Sequence, residues 1–299
     1  MDPLPFNKLT IIGAGLIGGS LARALKKSSI DLHITAYSRH EANLELAKEL
    51  GVIDAYELEL AQAVAAAEVI VLATPVGSYE ALLPQVHQHA PTEVIITDAG
   101  STKGSVVALA KKYLADRYPL FVPGHPIAGT EQSGVGASMD DLFQGKKVIL
   151  TPTAETDVHA LEVVTQMWQH CGAQVDTLSV SAHDRILAAT SHLPHVLAYA
   201  LVNALAEQDQ SEEVFQFAAG GFRDFTRIAS SDAVMWRDIC LENRTEILRA
   251  IESYRITLNT LEEQIKLSDR AALLASFERA QEARRKFLEL FEDNSAPST

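Results

Sequence analysis

The run KLTIIGAGLIGGSLARAL, residues 8–25, constrains the fold of this chain more than any other stretch. A short apolar strand pattern leads into Gly13-x-Gly15-x-x-Gly18, and an apolar helix start follows at once. Each glycine has a physical task. Gly13 permits a tight turn, Gly15 lets the main chain approach a pyrophosphate, and Gly18 lets helix and strand pack closely. The phosphates of a dinucleotide then rest at the helix N-terminus, among Gly15, Leu16 and Ile17, where free N–H groups and the helix dipole favour an anion. A GxGxxG alone is a weak signal. At the first strand-to-helix junction of an alternating chain it points firmly to a dinucleotide.

The chain does alternate. Apolar runs at 9–12, 33–36, 69–72, 94–97, 121–122 and 148–150 read as strands, with amphipathic stretches such as 44–50 between them. Unbroken apolar runs suit strands covered on both faces. The expectation is an α/β chain with an N-terminal Rossmann-type, doubly wound, mainly parallel sheet. Past Thr151-Pro152 the pattern turns helical, apart from a strand-like piece at 174–178. Long helices are expected over 182–206, 232–267 and 269–290. This gives a dinucleotide-binding domain over 1–152, an all-α C-terminal substrate and dimerisation domain over 153–290, and a disordered polar tail over 291–299. Helices this long usually pack against something large, and a second copy supplies it, so a homodimer is expected; the other reading is a monomeric bundle.

Composition removes several classes of function. With 25 basic against 39 acidic residues the net charge is −14, which argues against a general nucleic-acid binder, since that would need a basic face. An anionic ligand must therefore be held by a locally positive pocket, which makes single arginines informative. The two cysteines, Cys171 and Cys240, form neither a metal cluster nor a disulfide framework, as suits a reducing cytosol. No leader pattern opens the chain, and no stretch approaches the roughly twenty apolar residues of a membrane span. A cytoplasmic protein without a membrane partner is expected.

Cofactor choice is read at the end of the second strand, in ITAYSRHE. An NAD site usually carries an acid there. Here Ser38 and Arg39 follow the strand, and a hydroxyl with a guanidinium can bind a 2′-phosphate, so NADP is favoured over NAD. The other possibility is that Arg39 only stacks on the adenine. In LATPVGSY, Thr74 and Pro75 fall where the nicotinamide half runs. TDAGSTKG brings Asp98, Ser101 and Lys103 to the carboxyl edge of the sheet, with Asp98 on the cofactor side. Ser101 is either a substrate contact or a helix N-cap. In GHPIAGTEQSG, His125 follows the sixth strand beside the nicotinamide. A neutral imidazole there suits a base for a substrate hydroxyl, unless His125 is simply a turn residue.

GHPIAGTEQSG, TDAGSTKG, ATSHLPH and AAGGFRDFTRIASSDAVMWRDICLEN, taken together, resemble the prephenate/arogenate (cyclohexadienyl) dehydrogenase family of tyrosine biosynthesis, over nearly the whole chain. The resemblance implies that prephenate loses a hydride from ring C4 and carbon dioxide from C1, giving 4-hydroxyphenylpyruvate. Arogenate gives tyrosine by the same chemistry. It makes His125 the acceptor for the C4 hydroxyl and Ser101 its orienting partner. Arg227 would grip the ring carboxylate, and Arg223 would aid the second anionic group or pair with Asp224. Thr130, Glu131, His195, Gly220, Asp224 and Trp236 match positions around the substrate side chain and its approach, some of them contributed across the dimer. Glu131 is the residue expected to bear on substrate choice, with prephenate, or both substrates, preferred.

His192 and His195 stand at i, i+3 without a third ligand at matching spacing, so no metal is expected. Relatives are often fused to a mutase or a regulatory domain, and neither is expected here. Two other readings exist. A 3-hydroxyacid-type dehydrogenase of the same architecture uses a lysine in its first long helix, and 182–206 contains none. A non-catalytic dinucleotide-binding redox sensor gives no reason for His125, Ser101 and Arg227 to converge.

Overall fold

In the computed structural model, which describes residues 3–28, 31–209 and 211–293, β1 (Lys8–Ile12) lies inside a six-stranded, all-parallel sheet. β2 (His33–Tyr37) and β4 (Val69–Leu72) flank it; β3 (Ala55–Glu57) lies beyond β2, while β5 (Ile95–Asp98) and β6 (Phe121–Val122) lie beyond β4. The order β3-β2-β1-β4-β5-β6 reverses direction between β1 and β4, which opens the crevice where such sheets bind ligands. The expected doubly wound sheet is present. It also contains β3, a half-buried edge strand of three residues that the hydrophobic pattern does not reveal.

The unbroken apolar runs have the reason expected of them. Along β4, Val69 and Val71 enter one core with Leu9, Ile11 and Ile34, while Ile70 and Leu72 enter the other with Ile12, Leu83 and Ile96. Successive side chains point to opposite faces, and helices cover both. The buried hydroxyl of Thr10 is satisfied by donating to the Ala63 carbonyl at 2.8 Å.

After β6 the chain leaves this sheet for a second one. β7 (Gly124–Pro126) pairs antiparallel with β8 (Lys147–Leu150), and β8 pairs parallel with β9 (Gln174–Thr177). Two expectations change here. His125 lies in a strand, not a loop, and the run at 148–150 belongs to the second sheet. Pro126 is tolerated because β7 is an edge strand and does not need that N–H for the ladder. The crossover from β8 to β9 is the helix Val158–His170, capped by Asp157, whose Oδ1 accepts from Ala160 N at 2.8 Å. Its Val163, Val164, Met167 and Trp168 join the core that holds β1 and β2. The sheet-bearing body therefore continues past residue 152 to Thr177, because strand, helix and strand form one unit.

The helical part is more broken than its periodicity suggests. The run expected over 182–206 divides into Val180–Leu187, a π-helical turn Ala188–His192, and Leu193–Ala206. The run over 232–267 divides into Ala233–Glu242 and Arg244–Lys266, interrupted at Asn243. Chain contacts define one compact unit up to Ile247 and a second from Leu248. The described part of the second is a helical hairpin, turning at Ser268 (φ +52°) and restarting as Arg270–Asp293 with Asp269 as its cap. Leu258, Ile265, Leu267, Leu274 and Phe277 are exposed on this hairpin. Residues 291–293 are helical, correcting that part of the expected tail, and 294–299 lie outside the described residues. Among the described residues no helix is long and apolar enough to cross a membrane.

Candidate active site

The glycine loop closes β1 against its neighbours. Gly13 N donates to the Tyr37 carbonyl at 2.9 Å, and with φ +105° a Cβ there would meet the Ala73 carbonyl oxygen at 2.8 Å. A Cβ at Gly18 would lie 2.2 Å from the Gly13 oxygen, so no side chain fits between helix and turn. Gly15 differs, since a Cβ there would meet nothing within 4 Å. An open face thus stands at the N-terminus of the helix Leu16–Ser28, as a pyrophosphate requires. Leu16 and Ile17 are half-buried in its first turn. The chain fits a dinucleotide at this point.

Along the same edge, Arg39 is exposed, and Ser38 Oγ accepts from His40 N at 3.2 Å. Across the switch point, Thr74 shares a 2.8 Å hydroxyl contact with Ser78, and Pro75 is exposed.

His125 is 8% exposed at the centre of β7. Its Nδ1 lies 2.9 Å from His183 Nε2, and His183 Nδ1 lies 2.8 Å from Asp184 Oδ1. The proton positions follow from what each group can do. The Asp184 carboxylate only accepts, and it already takes Lys103 N (2.8 Å) and Gly104 N (2.7 Å) at the start of the helix Gly104–Leu114. His183 must therefore donate through Nδ1, which leaves its Nε2 a lone pair. His125 then donates through Nδ1, and its own Nε2 is left as the basic atom.

Electrostatics keep both rings neutral. Burial, reinforced by the repulsion that a proton on His183 would add and by the charge of Lys103, pushes His125 well below the usual 6.5. Burial also lowers His183, against the upward pull of Asp184. Burial would raise Asp184, but hydrogen bonds from His183, Lys103 N and Gly104 N hold it below its ordinary value.

Beneath this relay lies a fully buried ion pair. Lys103 Nζ donates to Asp98 Oδ2 at 2.5 Å and to the Gly124 carbonyl at 2.6 Å, while Gly124 N donates to Asp98 Oδ1 at 3.0 Å. Gly100 N also donates to Asp98 Oδ2. The Asp98 carboxylate is thereby engaged with the protein itself, and the ion pair clamps the residue before His125. Burial lowers the Lys103 pKa, opposed by the charge of Asp98. Ser101 is half-buried in the turn between Asp98 and Lys103, and its main chain lies beside His192.

The helical part contributes a stacked cluster. Pro194 has no N–H to continue the helix ladder, and the π-helical turn before it widens at that point. The Ser191 carbonyl accepts from His195 Nδ1 at 3.0 Å, and the His195 ring stacks on Trp236 at 3.7 Å between centroids. His192 is buried. The Asn243 amide donates to the Asp184 carbonyl (2.9 Å), so the same nitrogen donates to His192 Nδ1 at 3.2 Å. The helix breaks at Asn243, the residue whose side chain makes these contacts. Burial, with the repulsion that a proton on His183 would add, pushes His192 down to about 4.

Arg227 Nη1 meets Glu131 Oε2 at 2.9 Å, joining the segment after β7 to the turn Arg227–Ser230. Burial is the main cause that lowers the His195 pKa, and the charge of Arg227 adds to it, so the two are neighbours. Thr130 is exposed, its Oγ1 accepting from Gln132 N. Gly220 begins the exposed helix Gly220–Thr226. Arg223 and Asp224 pair with each other at 3.6 Å with side chains 84% and 76% exposed. Within this chain, then, His125, Ser101, His195, Trp236, Arg227 and Glu131 fall in one region, whereas Arg223 and Asp224 face solvent. Sequence reasoning missed His183, Asp184 and Asn243, and gave Lys103 no role. The adjacent pair His183-Asp184 in SAHDR was the signal available for the relay.

Residues 21–177 match the family described as prephenate dehydrogenase, nucleotide-binding domain, and residues 179–279 the one described as prephenate dehydrogenase, dimerization domain. A cyclohexadienyl dehydrogenase of Zymomonas mobilis is 36% identical over 283 residues, covering 93% of this chain and 95% of that protein. The crystal structure of prephenate dehydrogenase from A. aeolicus with hydroxyphenyl propionate and NAD+ superposes with a TM-score of 0.89 at 36% identity, over 96% of this chain and 100% of that one. Synechocystis arogenate dehydrogenase gives a TM-score of 0.77 at 26% identity, over 94% and 99%.

Proposed function

The chain belongs to the prephenate dehydrogenase family, and on that premise we propose that it converts prephenate to 4-hydroxyphenylpyruvate, with His125 Nε2 as the acceptor for the C4 hydroxyl. The observation that carries this reading is the Asp184–His183–His125 chain, which leaves one basic nitrogen on a neutral, buried ring. A bound dinucleotide supplies the two-electron acceptor for the hydrogen on C4.

The protonation balance explains why a weakly basic imidazole suffices. Prephenate loses the C4 hydrogen with its electron pair, and the C1–carboxylate bond breaks with its electrons entering the ring. The phenol product keeps its hydroxyl proton. His125 therefore need not hold a proton at the end of the reaction. It accepts a hydrogen bond that strengthens as the C4 oxygen feeds electron density toward carbon, and it must be neutral to do so. Lys103 and Asp98 fix Gly124, and hence the position of the ring.

Arg227 binds the ring carboxylate, exchanging its Glu131 partner for the substrate. Because that carboxylate leaves as carbon dioxide, an exposed guanidinium that grips without deep burial suits the task. His195, stacked on Trp236, and Ser101 line the substrate's remaining polar groups. Thr130, Gly220, Arg223 and Asp224 belong to the approach. The chain pairs with a second copy through its helical part, a reading supported by the exposed apolar side chains of the hairpin and by the dimerization-domain match.

Ser38 and Arg39, which follow β2 where an NAD site usually has an acid, favour NADP over NAD, although the A. aeolicus relative holds NAD+. Gly13, Gly15 and Gly18 carry the pyrophosphate, and Thr74 and Pro75 flank the nicotinamide. Initial rates with prephenate and arogenate, each crossed with NAD and NADP, test the whole reading. Turnover of prephenate with NADP ahead of NAD is expected. No turnover of either substrate overturns the function, and a clear preference for NAD overturns the role given to Ser38 and Arg39.

A further inference from the structure

Asn43 is the third residue of the helix Glu41–Glu49, which begins two residues beyond Arg39. Its half-buried side chain reaches two main-chain groups far apart in sequence. Nδ2 donates to the Ala14 carbonyl at 2.8 Å, inside the Gly13–Gly15 turn, and Oδ1 accepts from Val135 N at 3.3 Å. One amide thus ties the dinucleotide loop to the end of the segment that carries Glu131.

That end of the segment is bolted down around the link. Val135 is fully buried, and a Cβ on Gly19 would meet its Cγ2 at 3.2 Å and the Ser138 Cβ at 3.0 Å, so the turn Val135–Ala137 presses directly on the cofactor helix. Arg23 Nε donates to Ser138 Oγ at 2.8 Å, and Met139 N donates to Ser20 Oγ at 3.0 Å. The other end of the segment is Pro126, next to His125. Between these anchors the chain must let Glu131 reach Arg227, and it turns back into the bolted region at Gly134 with φ +85°.

We propose that Asn43 couples occupancy of the dinucleotide loop to the placement of Glu131, so that bound cofactor strengthens binding of the carboxylate substrate. This rests on the function proposed above. A ligand that fixes the Ala14 peptide also fixes the amide of Asn43, and through it Val135 N. The 127–134 segment then has fewer arrangements left to lose when the substrate displaces Glu131 from Arg227. Such coupling is reciprocal, so substrate must strengthen cofactor binding by the same factor. Asn43 is a positioning residue, since it acts only through the two loops it joins.

The test is made on the full chain with prephenate, which carries the ring carboxylate, as the probe, and with the reduced cofactor, which cannot accept the hydride. The dissociation constant of prephenate is measured by calorimetry with and without saturating NADPH or NADH, and the cofactor's with and without the probe. In the unsubstituted chain a coupling of about tenfold is expected, equal in both directions. In Asn43→Ala the factor falls below about threefold while each ligand still binds alone. Asn43→Asp keeps an acceptor for Val135 N and loses the donor to Ala14; it must show the same fall, and it decides the matter if Asn43→Ala fails to fold by circular dichroism. Coupling that survives in these variants, or no coupling in the unsubstituted chain, overturns the proposal. An unsubstituted chain that binds no probe and turns over no prephenate overturns the functional reading instead, and this inference falls with it.

Discussion

His125 Nδ1 and His183 Nε2 stand 2.9 Å apart with ring centroids 5.1 Å apart, edge to face, although 58 residues separate them in sequence. The contact sets the tautomer of the proposed catalytic ring. Because Asp184 sets the tautomer of His183 in turn, one buried carboxylate decides which nitrogen of His125 is left free to accept.

Replacing His125 by Asn removes the basic Nε2, because the shorter amide reaches only the position of Nδ1. Turnover is expected to fall by about a hundredfold or more, with little change in KM. Steady-state kinetics with prephenate check this, and a variant within a few-fold of the unsubstituted enzyme would sink the assignment.

His183→Phe keeps a ring and deletes the lone pair that receives the His125 proton. Without it His125 samples both tautomers, and a roughly tenfold loss in kcat is expected. A kcat within about twofold of the unsubstituted enzyme would show that His183 only fills space.

Arg227→Ala should lower kcat/KM for prephenate by roughly tenfold to a hundredfold, as expected for a lost hydrogen bond between charged groups. KM is expected to carry most of the change. Arg227→Lys should recover little, because an ammonium cannot offer the paired donors of a guanidinium. Full recovery in the Lys variant would remove the case for a bidentate grip.

Glu131→Gln discriminates the substrates by charge. Arogenate carries an ammonium where prephenate has a keto group, and a neutral amide attracts it less. The ratio of kcat/KM for prephenate over arogenate should rise in this variant. An unchanged ratio places Glu131 outside substrate selection.

Acid should weaken the fold itself. The His192 pKa is about 4 in the folded chain against 6.5 ordinarily, so below pH 6.5 the unfolded chain takes up a proton that the folded chain refuses. Stability is thus intact above 6.5 and is lost as pH falls toward 4, by about 3 kcal/mol from His192 alone. His125 and His183 are shifted in the same direction and add to the loss. Denaturant midpoints at pH 7.5, 6.0 and 5.0 read this directly, and a midpoint that stays flat over that range contradicts it.

What could be read in advance followed physical distance along the chain. β1, β2 and β4 announce themselves because burial on both faces forces unbroken apolar runs, and the Gly13–Gly18 loop because each glycine answers a local steric demand. β7 was hidden, since Gly124-His125-Pro126 has no strand character and pairs only because β8 is delivered alongside it. The break at Asn243 was hidden for a similar reason. Its helical periodicity is intact, and the cause is a distant carbonyl and imidazole that take its amide. The relay shares this origin, as His183 and Asp184 gain meaning only once the fold carries them to His125. The solvent exposure of Arg223 and Asp224 depends on the orientation of one short helix, which no spacing rule supplies.

The Lys103–Asp98 pair, with neither side chain exposed, has a consequence for how the protein answers to added salt. Mobile ions screen charges at the surface within about 8 to 10 Å in ordinary buffers and reach a buried pair far less. With a net charge of −14, the outside of the chain repels a dicarboxylate at long range. Ionic strength should therefore speed the approach of the proposed substrate and leave the His125 ring in the same field throughout. The surface sets how often the substrate arrives, and the sealed pair insulates what happens once it is there.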